Sequence, residues 1–212
     1  VSVENTANKA GGVVYPLDRI DAIAETTRAH DLHLHLDGAR LWNAAEAHDV
    51  PESRYAAPFD LTWVALSKGL GAPAGSVIAG PEPLIDEARR ARKRFGGGMR
   101  QAGILAAAGL YALEHHRPRL ADDHEKAQHL AETIASLPAF ELDVSAVETN
   151  ILIFEVTDGT AADVVEALAE EDVLLTPFGP TTVRATTHRD VSMAEIKQAV
   201  TIIEEQFGSE PR

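Results

Sequence analysis

Cysteine is absent from this 212-residue chain, so neither a disulfide nor a thiolate-bound metal can staple its fold. The same absence removes the redox chemistry from which a compartment is sometimes read. No apolar run approaches the ~18 residues of a membrane-spanning helix. The first residues lack the basic-then-apolar pattern of a secretory signal. There are no internal repeats and no low-complexity tracts. The expectation is a soluble, cytoplasmic protein that leaves membranes alone.

Basic residues are scarce. Nineteen lysines and arginines face 33 acids, a formal net charge of −14, which argues against general affinity for nucleic acid or anionic lipid. Lysine is scarcest, with 5 against 14 arginines. An acidic surface poor in lysine suits a saline cytoplasm, where screening removes the self-repulsion that would otherwise destabilise the compact state. The melting temperature is therefore expected to climb as KCl approaches molar concentrations. A flat or falling curve would return the acidity to ordinary variation.

What is present is enough apolar residue, 45%, for one large domain or two small ones. Alternation and helical periodicity predict strands at 1–4, 32–36, 61–66 and 76–79, with helices at 16–30 and 39–48 between them. Pro16 suits the start of its helix, where a missing N–H costs nothing. Strand–helix–strand alternation of this kind points to an α/β fold with a mostly parallel sheet. Residues 84–137 read as helical, broken at Gly96-Gly97-Gly98 and Pro118. A smaller α+β unit follows, with strands at 149–156, 173–175 and 182–186, a helix at 161–171, and a closing helix at 193–207 capped by Ser192. The expected division is 1–137 and 138–212.

Two segments carry chemistry. Leu61 to Leu66 is an apolar strand that ends in Ser67-Lys68 and breaks into Gly69-Leu70-Gly71-Ala72-Pro73. His35-Leu36-Asp37-Gly38-Ala39-Arg40 is a strand ending in an acid, a glycine and then an arginine. A lysine at one strand end and an aspartate at another suit pyridoxal 5′-phosphate. The amine can form a Schiff base with its aldehyde, and the carboxylate can keep its pyridine nitrogen protonated. Ligands of α/β sheets gather at the carboxyl ends of the strands. The plainer alternatives are a surface lysine for Lys68 and a helix cap for Asp37.

Five segments in order, Glu4-Asn5-Thr6, His35 to Arg40, Ser67 to Pro73, Gly96 to Gln101 and Val183 to Asp190, resemble the low-specificity L-threonine aldolases, which are fold-type I pyridoxal phosphate enzymes. The resemblance runs from residue 1 to about residue 207 and implies the C-terminal part of a large α/β domain plus a small α+β domain. It implies cleavage of β-hydroxy-α-amino acids such as threonine to glycine and an aldehyde, by a homo-oligomer (a tetramer in the family). Lys68 would hold the cofactor as a Schiff base beside Ser67. Asp37 would pair with the ring nitrogen, Arg40 with the phenolate oxygen, and Lys93 and Arg100 would lie near the phosphate. Arg184 would grip the substrate carboxylate, for which a planar guanidinium is suited.

Two departures from the family matter. Ala7 stands where the family usually has a histidine that handles the substrate's β-hydroxyl. The family's N-terminal third or more, with its phosphate loop and a histidine that stacks on the cofactor, has no counterpart in these residues. The chain alone is therefore expected to bind cofactor poorly, to be inactive and to expose unpaired sheet edges. The alternatives are elimination or transamination on the same cofactor, or a non-catalytic homologue that serves as an interaction module. Among the histidines, His33 and His35 share a strand face, but no third residue is spaced for zinc. His115, His116, His124 and His129 read as solvated surface, and His188 as structural.

Overall fold

Val3, Leu36 and Thr62 each sit between residues that point the other way. This two-residue alternation builds the first sheet of the computed structural model, which describes residues 1–208. β1 (Ser2–Glu4), β2 (His35–Gly38) and β3 (Leu61–Ala65) run parallel, and β4 (Ser76–Ala79) lies antiparallel against β3. The order is β1-β2-β3-β4, so the expected mostly parallel sheet is found, with one reversed edge strand. All four residues of β4 are exposed.

Val3, Leu36 and Thr62 form one row across the sheet and are buried. Helices α1 (Leu17–Ala29), α2 (Leu41–His48) and α3 (Glu52–Ala56) bring Ile20, Ala24, Leu41, Ala44 and Tyr55 into the clusters that contain Val3 and Leu36. Each fully buried Leu or Ile there contributes about 2 kcal/mol. The next row, Glu4, Asp37 and Trp63, faces the opposite side and is only half-buried. Gly38 lets β2 pass close to β3, because a Cβ there would stand 2.7 Å from the Trp63 carbonyl oxygen.

α4 (Glu82–Arg94) and α5 (Gly103–His115) complete this unit. The glycine triplet that breaks the helical stretch closes α4. Gly96 has φ 78°, its N–H reaches the Lys93 carbonyl at 3.3 Å, and the Gly97 N–H reaches the Arg92 carbonyl at 2.8 Å. Those two bonds form a Schellman cap, which needs a residue with positive φ.

The second unit comprises Ala7–Val13 and the chain from Ala121 onward. Its elements are most of α6 (Leu120–Ser136), then β5 (Phe140–Glu141), β6 (Ile151–Val156), α7 (Ala161–Ala169), β7 (Thr176–Pro177), β8 (Thr182–Thr186) and α8 (Met193–Phe207). The sheet is antiparallel, in the order β5-β6-β8-β7. Thr160 with Asp163 and Ser192 with Glu195 form capping boxes on α7 and α8.

The boundary thus falls at Leu120/Ala121 rather than at 137. The reason is packing: Ala127, Leu130, Ala131 and Ile134 of α6 share a core cluster with Leu152 and Phe154 of β6 and Val183 of β8. Periodicity shows that α6 has an apolar stripe, but not which sheet the stripe covers. The strand expected at 173–175 is displaced to Thr176–Pro177. The Val173 N–H bonds the Leu168 carbonyl and so continues the end of α7. Among the described residues no helix is long and apolar enough to cross a membrane, and no group of three His, Cys, Asp or Glu residues could hold a metal ion.

Candidate active site

β3 ends at Ala65, and the next ten residues fold back on themselves. The Leu66 N–H bonds the Gly75 carbonyl at 3.0 Å, the Ala72 N–H bonds the Leu66 carbonyl at 2.9 Å, and the Gly71 N–H bonds the Lys68 carbonyl at 2.7 Å. Gly71 and Gly75 take φ values of 67° and 119°, where a side chain is strained. Leu70 and Ala72 are buried with Ala112, and Leu66, Trp42 and Leu113 pack on them. The turn therefore has an apolar underside and presents Ser67 and Lys68 outward, both exposed.

Lys68 Nζ lies 5.8 Å from the centroid of the Trp63 ring, in the row that contains Glu4 and Asp37. The protein around it strips part of the amine's hydration and thereby lowers its pKa, and the Arg40 guanidinium lowers it further. Asp37 and Glu4 pull the other way. The result is a lysine more readily neutral than usual while still open to solvent. Lys68, Asp37 and Arg40, predicted separately from sequence, are thus brought together, and Glu4 and Trp63 join them. Sequence reading did not select those two as site residues, although Trp63 lies five residues before Lys68 and shares a register position with Asp37.

Asp37 is half-buried near the end of β2. Its Oδ1 accepts from the Ala39 N–H at 3.1 Å, and its carbonyl accepts from the Asn5 N–H at 2.9 Å. It does not cap α2, whose N-cap is Arg40. Arg40, expected inside that helix, stands just before it with φ −131°. Asn5 and Thr6 are fully buried, and Asn5 Nδ2 and Thr6 Oγ1 have no partner among the described residues. Lys93, in the last turn of α4, and Arg100, in the turn before α5, are exposed. The charges acting on Lys68 are those of Arg40, Asp37 and Glu4, not of these two.

In the second unit Arg184 sits at the centre of β8. Its Nη1 donates to Asn8 Oδ1 at 3.0 Å, and its Cζ lies 5.3 Å from the Phe178 ring centroid. Its Nε is buried without a partner among the described residues. Such a donor is costly to leave unmatched, and an anionic acceptor would satisfy it. Asn8 and Phe178 are further residues that sequence reading did not select. The chain after β8 is pinned by Thr187 Oγ1 donating to the Asp123 carbonyl at 2.6 Å and by Lys126 Nζ donating to the His188 carbonyl at 3.2 Å. Two histidines read as solvated are not. Burial pushes His124 down to about 4, so it is neutral near pH 7, and His116 is half-buried with Nδ1 2.6 Å from the Leu70 carbonyl oxygen.

A model of the beta-eliminating lyase family matches residues 1–157. The chain belongs to that family. The chain is 38% identical over 212 residues to the probable low-specificity L-threonine aldolase 2 of Arabidopsis thaliana, with 99% of this chain and 60% of that one covered. It is 40% identical over 198 residues to the low specificity L-threonine aldolase of Escherichia coli strain K12, covering 93% and 57%. A putative L-allo-threonine aldolase from Listeria monocytogenes has the same fold, with a TM-score of 0.82 at 23% identity over 98% of this chain and 61% of that one. The chain thus spans about three fifths of the length of these relatives. The resemblance read from five short segments extends along nearly all of the chain, and the fold is the fold-type I architecture expected from it.

Proposed function

We propose that this lyase uses pyridoxal 5′-phosphate to cleave L-threonine and related β-hydroxy-α-amino acids to glycine and an aldehyde. The observation that carries the reading is the meeting of Lys68, Asp37 and Arg40 at the carboxyl ends of β2 and β3. The donor set fits the cofactor: an amine of lowered pKa for its aldehyde, a half-buried carboxylate for its ring nitrogen and a guanidinium for its phenolate. When bound, the cofactor supplies a ring that accepts the electrons left as the substrate's Cα–Cβ bond breaks.

The chain's own residues do the rest. Lys68 would hold the cofactor through its neutral form, which the loss of hydration and Arg40 favour. Asp37, fixed by the Ala39 N–H, keeps a proton on the ring nitrogen, so stabilisation is applied where charge develops. Arg40 donates to the phenolate oxygen. Ser67, Lys93 and Arg100 serve the phosphate, and Arg184 holds the substrate carboxylate. The working form is a homo-oligomer in the cytoplasm.

Ala7 precedes the short helical turn Asn8–Ala10 and can neither donate to nor accept from a hydroxyl. Ala7→His is expected to raise kcat for threonine about tenfold with little change in KM, because a histidine there would act on a proton moving in the transition state. Steady-state kinetics check this, and a gain confined to KM would place proton handling elsewhere.

The function itself is tested by incubating the chain with pyridoxal phosphate and L-threonine, alone and with the unmatched part of the Escherichia coli relative as a second polypeptide. Glycine and acetaldehyde are expected from the second mixture. Ammonia and a 2-oxo acid would assign the same residues to elimination, and no turnover in either mixture would sink the lyase reading.

A further inference from the structure

His116 closes α5, at the corner from which the chain passes to α6. Its own N–H bonds the Ala112 carbonyl at 2.9 Å, its carbonyl accepts from the Arg119 N–H at 3.0 Å, and its ring meets Tyr111 edge-on at 5.3 Å. It is therefore a held side chain. Its Nδ1 lies 2.6 Å from the carbonyl oxygen of Leu70. A carbonyl only accepts, so Nδ1 carries the proton and donates, and it does so in both the neutral and the cationic imidazole.

Leu70 is two residues past Lys68, inside the turn closed by the Gly71 N–H on the Lys68 carbonyl. Fixing the Leu70 carbonyl fixes the peptide plane next to that closure. The rest of the turn rests on the same corner: the Leu70 side chain packs with Ala112, and a Cβ on Gly69 would stand 3.0 Å from Leu120 Cδ2. The apolar contacts set how deep the turn sits. They are non-directional, whereas a hydrogen bond to a carbonyl also sets the orientation of the peptide.

We propose that His116 is a positioning residue for Lys68, holding the 68–72 turn in the one orientation that puts the amine beside Trp63 and Asp37. The proposal rests on the reading of Lys68 as the cofactor-holding amine. A reactive group needs such a support to stay within a fraction of an ångström of its working place.

The test uses the cofactor-free chain and reads the pH profile of Lys68 acylation by peptide mass spectrometry. In the native protein the midpoint lies below that of an ordinary lysine. In His116→Ala the turn relaxes into solvent, and the midpoint moves up by about half a pH unit, a roughly threefold loss of neutral amine at a fixed lower pH. His116→Asn, which can offer an amide N–H near the position of Nδ1, restores the native profile, and His115→Ala, on the exposed neighbour, leaves it unchanged. If His116→Ala fails to fold, His116→Phe keeps the ring volume without the donor and decides by the same profile. An unmoved midpoint in the folded donorless variant, or an equal shift in His116→Asn, overturns the proposal. Failure here leaves the lyase reading standing, and failure of threonine cleavage leaves this profile to be judged separately.

Discussion

Lys68→Ala is expected to abolish borohydride-trappable attachment of pyridoxal phosphate and to lower threonine cleavage by about 10³-fold or more. Lys68 is the group around which Glu4, Asp37, Arg40 and Trp63 are arranged, and alanine removes the nucleophile while leaving the arrangement intact. Because the side chain is exposed, stability should stay within about 0.5 kcal/mol of the native value, so a loss of attachment cannot be blamed on unfolding. Mass spectrometry of the reduced protein checks the site directly. Cofactor fixed to another residue in the variant, at undiminished yield, would take Lys68 out of the mechanism.

Arg184→Gln should act on binding rather than on bond breaking. The guanidinium is backed by Phe178 and held at Nη1 by Asn8, while its Nε is buried without a partner. A charge-assisted pair with the substrate carboxylate is worth about 2–3 kcal/mol. The expected result is therefore an increase in KM for threonine of about 30- to 150-fold, with kcat changed much less. Arg184→Lys should recover little of this, because an ammonium cannot present two parallel N–H groups or stack on the ring. Steady-state kinetics in both variants decide the matter: unchanged KM values would free Arg184 from the carboxylate.

What could be read in the sequence was what is local in the chain. Lys68 and Asp37 announce themselves because each lies at the end of its own strand and precedes its own glycine, and no distant residue is needed to place them. The helices at 17–29 and 193–207 are legible for the same reason, since Pro16 and Ser192 mark their first turns. The parts that could not be read depend on partners far along the chain. Glu4 and Trp63 enter the site through parallel register, which pairs residues more than twenty positions apart. His116 looks like one of a run of polar helical residues until the Leu70 carbonyl, 46 positions earlier, is placed against it. The glycine triplet was visible, but whether it ends one helix or begins the next turns on the hydrogen bonds of Gly96 and Gly97 back into α4.

Residues 7–13 come soon after β1 yet are built into the second unit, and this bears on how such a protein can be recombined. Asn8 supplies the oxygen that steadies Arg184, and the Gly12 carbonyl accepts from Thr149 Oγ1 at 2.7 Å. A gene severed at codon 121 would yield a C-terminal product without either group, and an N-terminal product carrying a strip made for something else. The two units are therefore not cassettes that a single crossover can exchange between relatives. A chimera that keeps each unit whole needs junctions near residues 6, 13 and 120 together, so Arg184 and the strip that steadies it are inherited as a set.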